Sequence, residues 1–223
     1  MERVAVLASG GLDSSVLLAE LAETLEVSPL YVHKGLAWEE AERRALEAFV
    51  AALENARVSP VTALSVPARE LYGDHWSLTG RGVPGADTPD DAVFLPGRNV
   101  LLIGLAAVWC STHGVHRVAI GSLGDNPFPD ATPEFFDDYA GLLSRALAYR
   151  VTVEAPYRGL HKAELVRRRR DLPLELTLTC IAPRDDTHCG SCNKCHERQE
   201  AFEQAGVTDH TTYATAMERG ARG

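Results

Sequence analysis

A chain of 223 residues, 45% hydrophobic and 24% charged, has the composition of a globular protein and the length for one well-packed domain with a small appendage. Its formal net charge of −9 disfavours non-specific attachment to nucleic acid or any other polyanion, and no apolar run is long enough to span a bilayer. Five cysteines, four of them crowded between Cys180 and Cys195, together with an N-terminus that enters a strand without a secretory signal, fit a reducing cytoplasm rather than a secreted disulfide framework.

The first predicted strand, residues 3–8, is an apolar run ending in Ser9-Gly10-Gly11-Leu12-Asp13-Ser14-Ser15, and a helix is predicted directly behind it over 14–26. Two glycines permit a tight turn and let backbone amides approach an anion, and the helix N-terminus adds free N–H groups and the positive end of its dipole. Ser9, Ser14 and Ser15 add hydroxyl donors. The pattern lacks the G-x-x-x-x-G-K-[ST] spacing of a Walker loop. Asp13 is informative because an acid beside phosphates is repulsive unless a metal stands between them, which points to Mg²⁺. The segment resembles the PP-loop of the N-type ATP pyrophosphatases, which split ATP between its α and β phosphates and adenylate a substrate.

A second strand is predicted over 29–33 and delivers Val32, His33 and Lys34 to its C-terminal end. A helix over 37–56, a strand over 60–66 and a loop over 73–98 rich in Gly, Pro and Asp follow. A structureless loop of that length in a compact domain is usually functional or disordered. A helix over 99–113 contains Cys110 on an apolar run, where it reads as a small core residue. The fourth strand, 117–121, ends in Gly121 and Ser122 ahead of Asp125, Phe128 and Asp130. Helices over 133–148 and 161–170 flank a last strand at 150–154, and Arg167 to Arg170 form the strongest basic cluster, read as a solvated helix end or a local phosphate contact. Alternating strands and helices predict an α/β fold, a doubly wound five-stranded parallel sheet. Ligands of such sheets bind beyond the strands' carboxyl ends at the switch point, so the loops after the first and fourth strands should face each other across one crevice. Residues 1–171 are assigned to this α/β domain and 172–223 to a small C-terminal zinc-binding and helical segment packed with it.

The C-terminal segment carries Cys180 and then Cys189, Cys192 and Cys195 in two overlapping C-x-x-C units. Four thiolates close a tetrahedral Zn²⁺ shell and leave no open catalytic position. An iron–sulfur cluster also uses four cysteines, and spacing alone leaves it open. His188 and His196 flank the set and are read as bystanders.

Taken end to end, the chain resembles the 7-cyano-7-deazaguanine synthases of the queuosine pathway. The resemblance rests on Ser9-Gly10-Gly11-Leu12-Asp13-Ser14-Ser15, on Phe94-Leu95-Pro96-Gly97-Arg98-Asn99, and on Thr177-Leu178-Thr179-Cys180 followed by Cys189-Gly190-x-Cys192-x-x-Cys195. It implies conversion of 7-carboxy-7-deazaguanine and ammonia to the nitrile at the expense of two ATP, through adenylated intermediates that release AMP. It further implies a cytoplasmic homodimer with a structural Zn²⁺ and an adenine nucleotide α-hydrolase-like PP-loop fold, and no nucleic-acid or membrane partner. Under it Asp13, Arg98 and Lys162 are catalytic candidates. Ala8, Ser9, Gly10, Gly11, Leu12, Asp13, Ser14, Ser15, Val32 and His33 are candidates for ATP. Arg98, Asn99, Gly121, Ser122, Asp125, Phe128 and Asp130 are candidates for the deazapurine carboxylate. Two stretches depart from the family pattern. His33-Lys34-Gly35 stands where Tyr-Gly-Gln is usual, and of the usual Asp followed by Ser-Gly-Tyr-Pro-Asp-Cys residues 125–131 match Asp125 and Pro129-Asp130, with Phe128 for Tyr, Ala131 for Cys and the Ser-Gly lost. The second departure falls where the substrate base would sit and leaves open a paralogue adenylating another acceptor, or a catalytically silent nucleotide-binding module.

Overall fold

Val4, Ala5 and Val6 are wholly buried, which is why the first strand reads as an unbroken apolar run: it is covered on both faces. A computed structural model of the chain describes residues 2–124 and 126–215. In it β1 (Arg3–Leu7) lies at the centre of a five-stranded sheet of order β3-β2-β1-β4-β5, with β2 (Glu26–His33), β3 (Thr62–Ser65), β4 (Arg117–Ile120) and β5 (Thr152–Glu154). All four pairings are parallel. Val4 and Val6 face one layer, formed by α1 (Leu12–Leu21), α2 (Glu39–Leu53), α7 (Lys162–Arg168) and α8 (Asn193–Ala205). Ala5 and Leu7 face the other, formed by α5 (Arg98–His113) and α6 (Pro133–Ala146), where Cys110 is buried as expected. The doubly wound architecture is therefore present, and β1 and β4 are the neighbours between which strand order reverses.

Element boundaries differ from the expectation in ways that have physical causes. β2 begins at Glu26, three residues before the predicted start, and contains Pro29. A proline inside a strand normally marks an edge. Here Val27 bonds the chain at Arg57 and Ser59, whereas β3 joins only at Leu30↔Thr62. Pro29 faces the same side as Val27 by strand alternation, so its missing N–H falls in the gap before β3 begins. The early start of β2 shortens α1, which ends at Leu21 rather than at residue 26. The segment 73–98 is not structureless: α3 (Ala68–Tyr72) precedes it, and it contains α4 (Trp76–Thr79) and a 3-10 turn at Asp90–Val93.

The C-terminal segment packs into the main core. Ala201, Phe202 and Ala205 of α8 join Leu165 and Val166 of α7 and Leu17 of α1 in one cluster. Arg198 is fully buried and donates to Thr211 Oγ1 at 3.0 Å, Thr177 Oγ1 at 2.9 Å and the Leu174 carbonyl at 2.8 Å, tying the segment before Cys180 to α8. Three arginines of the basic run, Arg167, Arg168 and Arg169, are engaged within the fold. Arg167 donates to the Ala205 and Gln204 carbonyls at the end of α8, and Arg168 and Arg169 pair with Glu20 at 3.0 and 3.5 Å.

Candidate active site and metal centre

The carboxyl ends of β1, β2 and β4 open into a cavity of about 540 Å³. Its floor is the turn between β1 and α1. Gly11 is the N-cap of α1, and the loop is cross-braced by its own serines: Ser14 Oγ accepts from the Ser9 amide at 3.2 Å and donates to the Gly11 carbonyl at 3.2 Å. Gly10 has φ +78, and a Cβ there would stand 2.4 Å from the Glu42 carbonyl oxygen of α2. Gly10→Ala is therefore expected to lower stability by about 3–5 kcal/mol, from a left-handed backbone combined with overpacking against rigid backbone. Urea unfolding reads it, and an unchanged midpoint would refute the packing described.

Ala8, Ser9, Gly11, Leu12, Asp13 and Ser14 line the cavity, together with Val32. Gly10, Ser15 and His33 do not. Ser15 is buried beneath the loop, where its hydroxyl has no hydrogen-bond partner among the described residues. His33 turns to Glu39, 3.6 Å from Nδ1 to Oε2, and lies edge-on to Tyr31. The β4 end closes against the loop: a Cβ on Gly121 would be 3.0 Å from the Asp13 carbonyl carbon and the Ser14 nitrogen. The two strand-end loops thus meet as the topology requires.

Asp13, in the first turn of α1, faces Lys162, the first residue of α7, with Nζ 3.3 Å from Oδ2. Lys162 also pairs with Glu197 of α8, which in turn pairs with Lys194. Burial raises the Asp13 carboxyl above its ordinary value against the pull of Lys162. For Glu197 burial acts the same way but is outweighed by Lys162 and Lys194, which hold it down at about 2. Burial would lower the Lys162 ammonium, yet the two carboxylates keep it above its ordinary value. Asp13 Oδ1 is buried with no hydrogen-bond partner among the described residues. An orphaned carboxylate oxygen in the first turn of α1 fits a hard divalent cation, for which oxygen donors are the preferred ligands.

The opposite wall is acidic and aromatic. Glu42 accepts from Trp38 Nε1 at 2.9 Å and from the Tyr31 hydroxyl at 3.2 Å, and Trp38 stacks on Trp76 of α4 with centroids 5.7 Å apart. Lys34 lies in this wall and donates to the Val32 carbonyl at 2.9 Å. Burial, reinforced by Arg98, lowers its ammonium to about 8. Arg98 and Asn99 line the cavity from the start of α5. Asp130 and Phe128 line it as well, but Asp130 Oδ2 accepts from the Asn99 amide at 2.9 Å and so holds the start of α5. Phe128 stacks on Phe94 at 4.9 Å, and Ser122 Oγ accepts from Asn126 at 3.4 Å. Asp125 lies outside the described residues.

The sequence reading missed Glu197 and Lys194. Their spacing of three residues places them on one helical face, but which helix they meet is a matter of how α8 packs on α7. It also missed Glu42 and the two tryptophans, because the run of charges at 39–44 reads as a solvated face.

Cys180, Cys189, Cys192 and Cys195 are buried, with all four sulfurs within 4.8 Å of one another. Cys180–Cys192 and Cys189–Cys195 are separated by 3.9 and 3.8 Å. A tetrahedron of metal–sulfur bonds of about 2.3 Å has edges of about 3.8 Å. The donor set is therefore compatible with one Zn²⁺, and a cluster of several irons would force the sulfurs farther apart. Backbone amides of Cys189 and Ala182 point at Cys180 Sγ at 3.2 and 3.4 Å, favouring the thiolate. His188 is no ligand: its Nε2 accepts from the Thr179 amide at 3.2 Å, and burial, with Arg198 nearby, lowers it to about 3. His196 pairs with Glu200 at 3.2 Å. Among the described residues no helix is long and apolar enough to cross a membrane.

Residues 3–206 match the family model described as queuosine biosynthesis protein QueC. The chain is 37% identical to the 7-cyano-7-deazaguanine synthase of Methanopyrus kandleri, over 96% of this chain and 99% of that protein. It is 30% identical to the protein of the same name in Methanothrix thermoacetophila and 31% to that of Azoarcus sp. strain BH72, again over 96% of this chain.

Proposed function

Because the chain belongs to the queuosine biosynthesis protein QueC family, we propose that its crevice converts 7-carboxy-7-deazaguanine and ammonia to 7-cyano-7-deazaguanine with two ATP. A carboxylate is a poor electrophile, so its oxygen first attacks the α-phosphorus of ATP and expels pyrophosphate. Ammonia adds to the resulting acyl adenylate and expels AMP, leaving the amide. The amide oxygen attacks a second ATP in the same way. Loss of both protons from nitrogen and of AMP from carbon then gives the nitrile, the original oxygen departing with AMP.

The observation that supports the residue roles is the convergence of the serine-braced loop, Asp13 and Lys162 on one cavity. The amides of Leu12, Asp13 and Ser14 in the first turn of α1, with the Ser9 hydroxyl, cradle phosphates, and Lys162 offsets the charge that builds on the expelled pyrophosphate. Asp13 would hold Mg²⁺, which when bound draws charge from the phosphate oxygens. Arg98, at the start of α5, offers a bidentate fork to a carboxylate or phosphate. Val32 and its neighbours at the end of β2 bound the adenine side. Asn99, Gly121, Ser122, Phe128 and Asp130 bound the side open to the deazapurine. The four cysteines hold a structural Zn²⁺. A cytoplasmic homodimer acting on small molecules completes the reading and is carried by the resemblance alone.

Incubation with ATP, ammonia and 7-carboxy-7-deazaguanine followed by mass spectrometry tests it. The nitrile should appear with two AMP per molecule formed. Release of ADP, or AMP formation without nitrile, would overturn the assignment.

A further inference from the structure

We propose that Glu197 is a positioning residue that draws the Lys162 ammonium away from Asp13, so that the Asp13 carboxylate stays available to a divalent cation. The inference rests on the reading of the crevice as a Mg-ATP site and adds a role for a residue on the far helix. Lys162 stands between two carboxylates, and Glu197 is the nearer of them: Asp13 Oδ2 is 3.3 Å away, while Glu197 Oε1 is in closer contact. Glu197 is itself anchored, because its other oxygen, Oε2, pairs with Lys194. All four side chains line the same cavity. They carry two positive and two negative charges. Removing Glu197 leaves Asp13 as the remaining anion of the set, and Lys162 then closes on it in competition with a metal.

The carboxylate of Glu197 is not what docks α8. That helix is held by Ala201, Phe202 and Ala205 in the main core and by the three hydrogen bonds of buried Arg198. Lys194 sits between Cys192 and Cys195 in the sequence, and Glu197 follows one turn after Lys194. The cysteine centre thus fixes the register with which both reach the phosphate side, a link between two sites that the residues of neither reveal.

The test measures calorimetric binding of α,β-methylene-ATP to the full-length, metal-loaded protein across a Mg²⁺ series. Glu197→Gln is expected to raise the half-saturating Mg²⁺ about tenfold, the scale of coupling within one ion-pair network, and Glu197→Asp less, since it keeps the charge. In a Lys162→Met background Glu197→Gln should shift it by less than about twofold, because the effect passes through Lys162. Unchanged Mg²⁺ dependence in Glu197→Gln with cysteine-bound metal retained would overturn the proposal, and so would an equal shift in the Lys162→Met background. If Glu197→Gln does not fold, Glu197→Asp carries the same comparison, and absence of any shift there counts against the role. A wild type that binds no α,β-methylene-ATP at any Mg²⁺ concentration would instead overturn the reading of the crevice itself.

Discussion

Asp13→Asn is expected to fold normally and to lose turnover by about 100-fold or more, the scale of removing one positioned polar group from a closed site. The two halves of this expectation come from the same geometry. Asp13 is largely buried, its Oδ1 has no partner among the described residues while Oδ2 faces Lys162, and burial outweighs that pairing and pushes its pKa upward. A charge so placed destabilises the fold, and exchange for a neutral amide of the same shape relieves that cost while Lys162 keeps Glu197. Stability should therefore be equal to or above that of the wild type, whereas the capacity to hold a cation against the phosphates is gone. Thermal unfolding alongside AMP release separates the two. Wild-type AMP release by Asp13→Asn would remove Asp13 from the chemistry, and a large loss of stability would show that the residue is structural.

What the sequence makes legible is the local part of this arrangement. Ser9 to Ser15 specify a strand–turn–helix whose amides converge, because Gly10 and Gly11 act on the backbone within a few residues. The alternation of strands and helices specifies a sheet buried on both faces, and the C-x-x-C units specify a sulfur site. Contacts set by packing are illegible in the same text. Glu197 looks like one more charge on a polar helix, since residues 193–205 carry few apolar side chains beyond Ala201, Phe202 and Ala205. Only the docking of α8 on α7 turns it toward Lys162. Asp130 reads as an acid aimed at substrate because of its place after β4, yet one of its oxygens is committed to the Asn99 amide. Pro29 argues against a strand by local rule, and only the late start of β3 shows why it is tolerated.

Removal of the metal from the cysteine centre is expected to cost both stability and activity, and Cys192→Ala should reproduce the effect. The four cysteines are core residues of a third cluster that also holds Leu36, Trp38, Leu78, Val93 and Leu178. Leu178 is tied by its amide to the Gly10 carbonyl at 2.8 Å, so this cluster touches the loop between β1 and α1 directly. Cys192 is moreover the N-cap of α8. Opening the sulfur tetrahedron leaves buried thiols without their common partner, frees the first turn of α8, and releases Lys194 and Glu197 from the crevice. A structural zinc supplies about 10–16 kcal/mol to a zinc-finger peptide. Here the sheet and its two helical layers persist without it, so a loss on the order of 5 kcal/mol is expected, read by thermal unfolding of Cys192→Ala. Elemental analysis should find about one Zn²⁺ per chain in the wild type, in keeping with four sulfurs around one ion. Cys110→Ala serves as the internal control: Cys110 lies in the cluster on the opposite face of the sheet and should leave the metal content unchanged. Iron with acid-labile sulfide, full metal content in Cys192→Ala, or metal loss in Cys110→Ala would each refute the four-cysteine zinc centre. A chelated protein that kept its turnover would refute its coupling to the crevice.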